Sequence, residues 1–199
     1  MYPKARVDAL TDGIFAVAMT ILILDVRLPE DFHPSDAAAV AHALKELWPK
    51  FFPYILSFYV LGTSWLSIIK LRSRVEFVDR RYAFWWLFHL MLATCLPFST
   101  TVVGRFAQFA PSVWLYALNM GMLAAIGYWL IMLLPDLEED EHAYDRKISL
   151  LVLIGTSVLC IGLSVVISPA KALLVYLLNI GASRLARSLA TRLQRSQRT

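Results

Sequence analysis

The sequence predicts an all-α integral membrane protein with six transmembrane helices and both termini in the cytoplasm. Of the 199 residues, 58% are apolar or aromatic and only 17% are charged, whereas soluble domains carry about 25% charged residues. The apolar residues form blocks about 20 residues long, the length that crosses roughly 30 Å of hydrocarbon. Basic residues cluster between alternate blocks, as they do in multi-pass membrane proteins. This composition excludes a simple water-soluble enzyme.

Six apolar blocks define the predicted spans, which form a single domain over residues 1–199. The blocks lie at about residues 10–28, 51–69, 83–104, 113–134, 148–168 and 170–190. The sixth block is interrupted by Asn179, Arg184 and Arg187, and we expect its arginines to extend to the membrane interface. A short amphipathic helix over residues 37–47 is expected before the second span.

The distribution of basic residues predicts the orientation. They cluster before span one, between spans two and three, between spans four and five, and after span six, at Lys4, Arg6, Lys70, Arg72, Arg74, Arg80, Arg81, Arg146, Lys147, Arg184, Arg187, Arg192, Arg195 and Arg198. The positive-inside rule places these segments in the cytoplasm. Topology therefore explains the net charge of +4 without a nucleic-acid partner. An acidic run over residues 136–145 is interpreted as a solvated loop, with a cation-attracting vestibule as the alternative.

The first span carries ionisable and hydroxyl groups at its cytoplasmic end. An isolated charge at membrane depth is costly, so Asp12 is expected to face protein, with Arg6 among its hydrogen-bond donors. Alternatively, Thr11 and Asp12 cap the N-terminus of the helix. Composition alone leaves both interpretations open.

Helical spacing places Gly13, Val17, Thr20 and Leu24 on one stripe of the first span. Thr20 supplies the only hydroxyl in the middle of this span. Small residues on the same helix allow close helix packing; they are Gly13, Ala16 and Ala18. Periodicity alone favours a buried packing face over a pore lining.

The segment from Arg6 to Asp25 resembles the signature of the transmembrane protein 175 family of potassium channels. The family motif is Arg, three residues, then Phe-Ser-Asp; Arg6 and Asp12 match it, while Leu10 and Thr11 replace Phe and Ser. The chain length and the six-span layout also match. Weaker matches occur at Trp65 and over residues 95–98.

One departure from the family pattern concerns the second span. Ile68 and Ile69 stand where many family members carry a His pair. His89 in span three is a possible substitute partner for the first-span motif, although a core histidine satisfied by a backbone carbonyl is favoured. The tryptophans, Trp86 included, are assigned to interface belts and packing.

The resemblance implies a passive K⁺ channel, assembled as a homotetramer with the first spans around a central path, in the cell membrane of a prokaryote. Val17, Thr20 and Leu24 would line this path, with Ile21 at its border. The signature motif and the network that positions the helix would comprise Arg6, Thr11, Asp12, Gly13, Trp65 and His89. The expected partners are the lipid bilayer and monovalent cations, and no cofactor is expected.

Selectivity must arise without a carbonyl filter, because no Thr-Val-Gly-Tyr-Gly segment occurs in the sequence. A ring of four Thr20 hydroxyls and dehydration at a narrow apolar ring are the available means. These predict a real but moderate preference for K⁺ over Na⁺.

The sequence allows comparison with three other functions: a secondary carrier, an intramembrane enzyme and a purely structural subunit. A secondary carrier could use Asp12 to bind a proton or Na⁺, but the sequence shows neither paired broken helices nor a second copy of the signature. An intramembrane enzyme is disfavoured because HExxH and GxSxG motifs, paired membrane-depth aspartates and a histidine cluster are absent. Cys95 and Cys160 lie within apolar blocks and offer neither a disulfide framework nor a CxxC-type metal site. A purely structural subunit stays open.

Overall fold

Helices make up nearly all of the regular structure in the computed structural model, which describes residues 1–71, 76–133 and 141–179. The elements in chain order are strand β1 (Tyr2–Pro3), helix α1 (Lys4–Ile21), a 3₁₀ turn (Leu22–Asp25), α2 (Ala37–Glu46), α3 (Trp48–Leu71), strand β2 (Phe77–Val78), α4 (Arg80–Phe106), α5 (Ala110–Met132), α6 (Glu141–Val166), α7 (Pro169–Ala172) and a second 3₁₀ turn (Leu173–Tyr176).

Five helices of the described ranges are long and apolar enough to cross a membrane: α1 with its 3₁₀ turn, α3, α4, α5 and α6. The helical membrane class is thereby confirmed, and five of the six predicted spans coincide with these candidate membrane-spanning helices. The sixth predicted span begins with α7, but most of it, with the basic C-terminal residues, lies outside the described residues. The same holds for Arg72, Arg74 and most of the acidic run. The count of six spans and the cytoplasmic termini therefore stay predictions.

The bounds of the first span differ from the predicted residues 10–28. Helix α1 begins at Lys4 and its regular part ends at Ile21, where the chain tightens into the 3₁₀ turn. The earlier start is possible because Lys4 and Asp8, both buried, form an ion pair at 3.2 Å. Hydropathy alone does not register this pairing, which partly compensates the cost of burying the two charges.

A short antiparallel ribbon, absent from the sequence prediction, joins the start of α1 to the segment before α4. Tyr2 pairs with Val78 and Pro3 with Phe77. At the opposite end, the Arg105 guanidinium donates to the Asp25 carboxylate. Helices α1 and α4 therefore run parallel and are joined at both ends.

Helix α4 lies at the centre of the fold and packs against α1, α3 and α5. Seven of its buried residues alternate in steps of four and three, the spacing of one helix face; they are Tyr82, Trp86, His89, Ala93, Leu96, Thr100 and Val103. The N-terminus of α4 is capped by Asp79, whose carboxylate accepts from the Tyr82 amide at 2.7 Å. The remaining long pair, α5 and α6, packs against this centre.

Hydroxyl groups hydrogen-bond across the helices inside this core. The Ser57 hydroxyl of α3 lies 2.8 Å from that of Thr100 on α4 and 2.9 Å from that of Tyr116 on α5. All three residues are buried. Since lipid offers no competing partners, such contacts help to fix how membrane helices pack.

Replacement of Tyr116 by Phe removes one of these bonds and should lower the free energy of unfolding by about 1 kcal/mol. Reversible unfolding in mixed micelles measures the change. Tyr128→Phe, on the same helix, is the matched control, because its hydroxyl has no hydrogen bond within the described part of the chain. Equal stability of the Tyr116→Phe variant and the wild type would contradict the prediction.

Candidate functional site

Helix α1 has one face covered by the rest of the chain and one face uncovered. The covered face comprises Asp8, Thr11, Phe15, Ala18 and, in the following turn, Leu22. The predicted stripe lies on the uncovered face: Val17 is 56% and Leu24 67% exposed, and Gly13 and Thr20 are also exposed. Periodicity alone favoured this stripe as a packing face. Within the chain that expectation is wrong, because the other face of α1 makes the contacts.

Thr11, which is fully buried, joins α1 to α4. The Trp86 indole N–H donates to the Thr11 hydroxyl at 2.7 Å, and that hydroxyl donates to the Val7 carbonyl at 2.7 Å. The Thr11 oxygen thus serves as acceptor and donor at once. Sequence reasoning missed the role of Trp86, whose step of four from Tyr82 and of three to His89 could have placed it on the buried face.

Asp12 joins α1 to α3 one residue further along. The Trp65 indole N–H donates to the Asp12 carboxylate at 3.0 Å, so the expectation that Asp12 faces protein is confirmed. The capping interpretation is wrong: the N-cap of α1 is Pro3, and Thr11 and Asp12 lie two turns inside the helix. Arg6 is exposed, and its proposed hydrogen bond to Asp12 stays a prediction.

His89 adjoins this pair of contacts. Its ring is buried, with its centroid 6.5 Å from that of Phe15 and 5.7 Å from that of Trp86. Its Nδ1 atom has no hydrogen-bond partner among the described residues. Ile68, at the place of the family His pair, lines the same small cavity as His89. His89 therefore packs beside the Thr11–Trp86 contact.

The uncovered face of α1 combines small, apolar and hydroxyl groups. A Cβ atom added to Gly13 would meet no atom within 4 Å, so packing within the chain does not require glycine there. The Thr20 hydroxyl donates to the carbonyls of Ala16 at 3.0 Å and Val17 at 2.9 Å. Its oxygen lone pairs therefore face outward.

The 3₁₀ turn changes the direction in which the side chain of Leu24, the last residue of the predicted stripe, points. Side chains three residues apart eclipse each other in a 3₁₀ helix, which brings Leu24 closer to the direction of Ile21 than a continuous α-helix would. Both side chains are exposed. Ile21 therefore shares the outer end of the uncovered face with Leu24.

These features define a class: a multi-pass α-helical membrane protein whose first helix is fixed by two indole hydrogen bonds and presents an uncovered face with a hydroxyl. Residues 6–97 match the family model described as endosomal/lysosomal potassium channel TMEM175. Over this segment the chain is similar to the TMEM175 family, in agreement with the resemblance seen in the sequence.

Several named relatives align with the chain. A potassium channel of Streptomyces collinus is 35% identical over 108 residues, or 54% of this chain and 51% of the relative. A potassium channel of Chamaesiphon minutus is 29% identical over 101 residues, or 51% of this chain and 49% of the relative. The human endosomal/lysosomal proton channel TMEM175 is 29% identical over 110 residues, or 53% and 22%. The chain thus spans about half the length of the bacterial relatives it matches.

A solved structure shares the fold. The crystal structure of a lysosomal potassium-selective channel TMEM175 homolog from Chamaesiphon minutus superposes with a TM-score of 0.75 at 22% identity, covering 92% of this chain and 97% of that one. At this level of identity, the match establishes the helical architecture.

A double-mutant cycle tests the hydrogen bond between α1 and α4. Thr11→Val and Trp86→Phe each remove one partner, and their coupling energy should be about 1 kcal/mol, the typical net value of such a bond. Unfolding free energies of the wild type, both single variants and the double variant give the coupling. Thr11→Val combined with Trp85→Phe is the control, because the described contacts of Trp85 include no hydrogen bond to α1. Additive effects in the Thr11–Trp86 pair would contradict the contact.

Proposed function

We propose that the protein is a potassium channel that conducts K⁺ passively through a central pore lined by α1 of several copies. One observation carries the proposal: the face of α1 that bears Val17, Thr20, Ile21 and Leu24 is uncovered within the chain. The opposite face is held by Trp65 and Trp86. The bacterial relatives that bear the name potassium channel support the same function.

The composition of the uncovered face favours contact with further copies over contact with lipid alone. Gly13 and Ala16 leave little side-chain bulk on it, and small residues allow helices to approach closely where no hydrophobic force drives them together. We propose a homotetramer, in which four α1 helices surround the path. The site of action is the cell membrane of a prokaryote, with K⁺ as the permeant ion and no resident cofactor.

Thr20 is the proposed selectivity element. Because its hydroxyl hydrogen is donated to the backbone, its oxygen presents lone pairs to an ion. A ring of such oxygens replaces part of the hydration shell, and neighbouring Val17 side chains require the ion to shed water. K⁺ sheds water more easily than Na⁺, which yields a moderate preference. Narrowing of the apolar ring closes the path by dewetting.

The two indole contacts fix the rotation of α1 about its axis. Successive residues of an α-helix point about 100° apart, so a rotation of that size would replace Thr20 by the apolar Ile21 in the path. Thr11 and Asp12, held from α4 and α3, oppose this rotation. Their role is to position the helix, and they do not need to contact the ion.

The reversal potential of purified protein in a planar bilayer, with K⁺ on one side and Na⁺ on the other, tests the function. We expect reversal near the K⁺ equilibrium potential, and a shift toward zero in Thr20→Ala because the hydroxyl ring is lost. Thr94→Ala is the matched control: its hydroxyl also bonds a backbone carbonyl, that of Met91, on an exposed helix face.

The absence of current from well-folded protein would contradict the channel. A flux that saturates with substrate and depends on a proton or Na⁺ gradient would instead favour a carrier that uses Asp12. An unchanged reversal potential in Thr20→Ala, with current present, would remove Thr20 from the path and leave the channel standing.

Substitution of the apolar residues tests the constriction. Val17→Ser and Leu24→Ser should raise single-channel conductance several-fold and reduce K⁺ over Na⁺ selectivity, because a wetted ring demands less dehydration. Single-channel recording gives both quantities. Val158→Ser, at a 66% exposed position on α6, is the control and should leave both unchanged. Wild-type currents in both α1 variants would exclude these residues from the pore.

A further inference from the structure

A small cavity lies among α3, α4, α5 and α6, apart from the uncovered face of α1. Its volume is about 30 Å³, and its lining combines apolar side chains with polar ones from three helices. The polar lining residues are Ser64, Ser67, Tyr82, His89 and Arg146. No part of the proposed ion path uses this cavity.

Arg146 brings a positive charge to the cavity. Its Nη2 donates to the Ser64 hydroxyl at 2.9 Å, and among the described residues no carboxylate lies within salt-bridge distance of its guanidinium. A guanidinium offers five N–H donors, so one hydroxyl leaves most of them available. Arg146 is half-buried and lies near the start of a candidate membrane span, where a cation without a counter-charge is costly.

A second polar group of the lining is also unsatisfied. His89 is 3% exposed, and its Nδ1 has no hydrogen-bond partner among the described residues. Gly127 stands against this ring, since an added Cβ would lie 3.4 Å from the His89 Cε1 atom. The imidazole is therefore closely enclosed beside the cavity, with an unused nitrogen.

The cavity volume limits the occupant. A water molecule needs about 10–15 Å³ on this measure, so the space holds one monoatomic ion or one or two waters. Water would satisfy hydrogen bonds, but it would leave the charge of Arg146 uncompensated. A small anion accepts these hydrogen bonds and also compensates the positive charge of Arg146.

We propose that this cavity is a binding site for a single small anion of the size of chloride. The anion accepts hydrogen bonds from the Arg146 guanidinium and from the Ser64 hydroxyl, whose hydrogen is free once its oxygen accepts from Arg146. His89 contributes its enclosed ring to the wall of the site. The bound anion thus joins α3 and α6 through Ser64 and Arg146.

The melting temperature of the purified protein in nanodiscs tests the site, with chloride titrated against gluconate at constant ionic strength. A ligand that binds only the folded state raises stability by mass action, and we expect a saturable rise of about 3 °C in chloride. Bromide should act in the same way, and its anomalous scattering in crystals of the wild type should give a peak beside Arg146.

Two variants separate specific binding from a general salt effect. Arg146→Gln should lose the saturable rise, whereas Lys147→Gln, which removes the same charge at the next position, should keep it. If Arg146→Gln does not fold, the chloride titration and bromide peak of the wild type decide the question. Equal melting in chloride and gluconate without a bromide peak, or a rise retained in Arg146→Gln, would overturn the proposal in favour of water. Neither the melting temperature nor the bromide peak depends on ion conduction, so the result is independent of the channel function.

Discussion

The hydrogen bonds from two tryptophan indoles to adjacent residues of α1 determine which face of that helix is covered. Trp86 of α4 reaches Thr11, and Trp65 of α3 reaches Asp12. A carboxylate and a hydroxyl at membrane depth require partners, because lipid supplies none. Once both are satisfied from inside the chain, the opposite face of α1 is directed outward. The positions of Val17 and Thr20 follow from this constraint.

Helix α4 can hold α1 in this orientation because it contacts α1 at both ends and in between. The β1–β2 ribbon brings the start of α1 to the segment before α4, and the Asp25–Arg105 ion pair joins the far ends. The buried face of α4 also carries Thr100, which bonds Ser57 in the core. One face of one helix thus supports the α1 contacts, the hydroxyl network and, through His89, the cavity beside Arg146.

The local sequence pattern was sufficient to predict the long apolar helices and to identify the family motif. Five predicted spans appear with shifted bounds, because charged residues at helix ends join the helix when they are paired or capped, as Lys4 is by Asp8. The expectation that Asp12 faces protein followed from the cost of a lone charge in the membrane. The roles of Trp86 and the β1–β2 ribbon were not foreseen, because both depend on partners more than 70 positions away in the sequence.

The sequence by itself determined the membrane class, the helical spans and the grouping of Gly13, Val17 and Thr20 on one side of α1, since these depend on hydropathy and on the fixed turn of a helix. The direction in which that side faces was decided by the tertiary structure. Periodicity identifies a stripe, but a stripe is covered or uncovered according to where hydrogen-bond partners stand on other helices. For α1 those partners are two indoles, and they cover the Thr11 side.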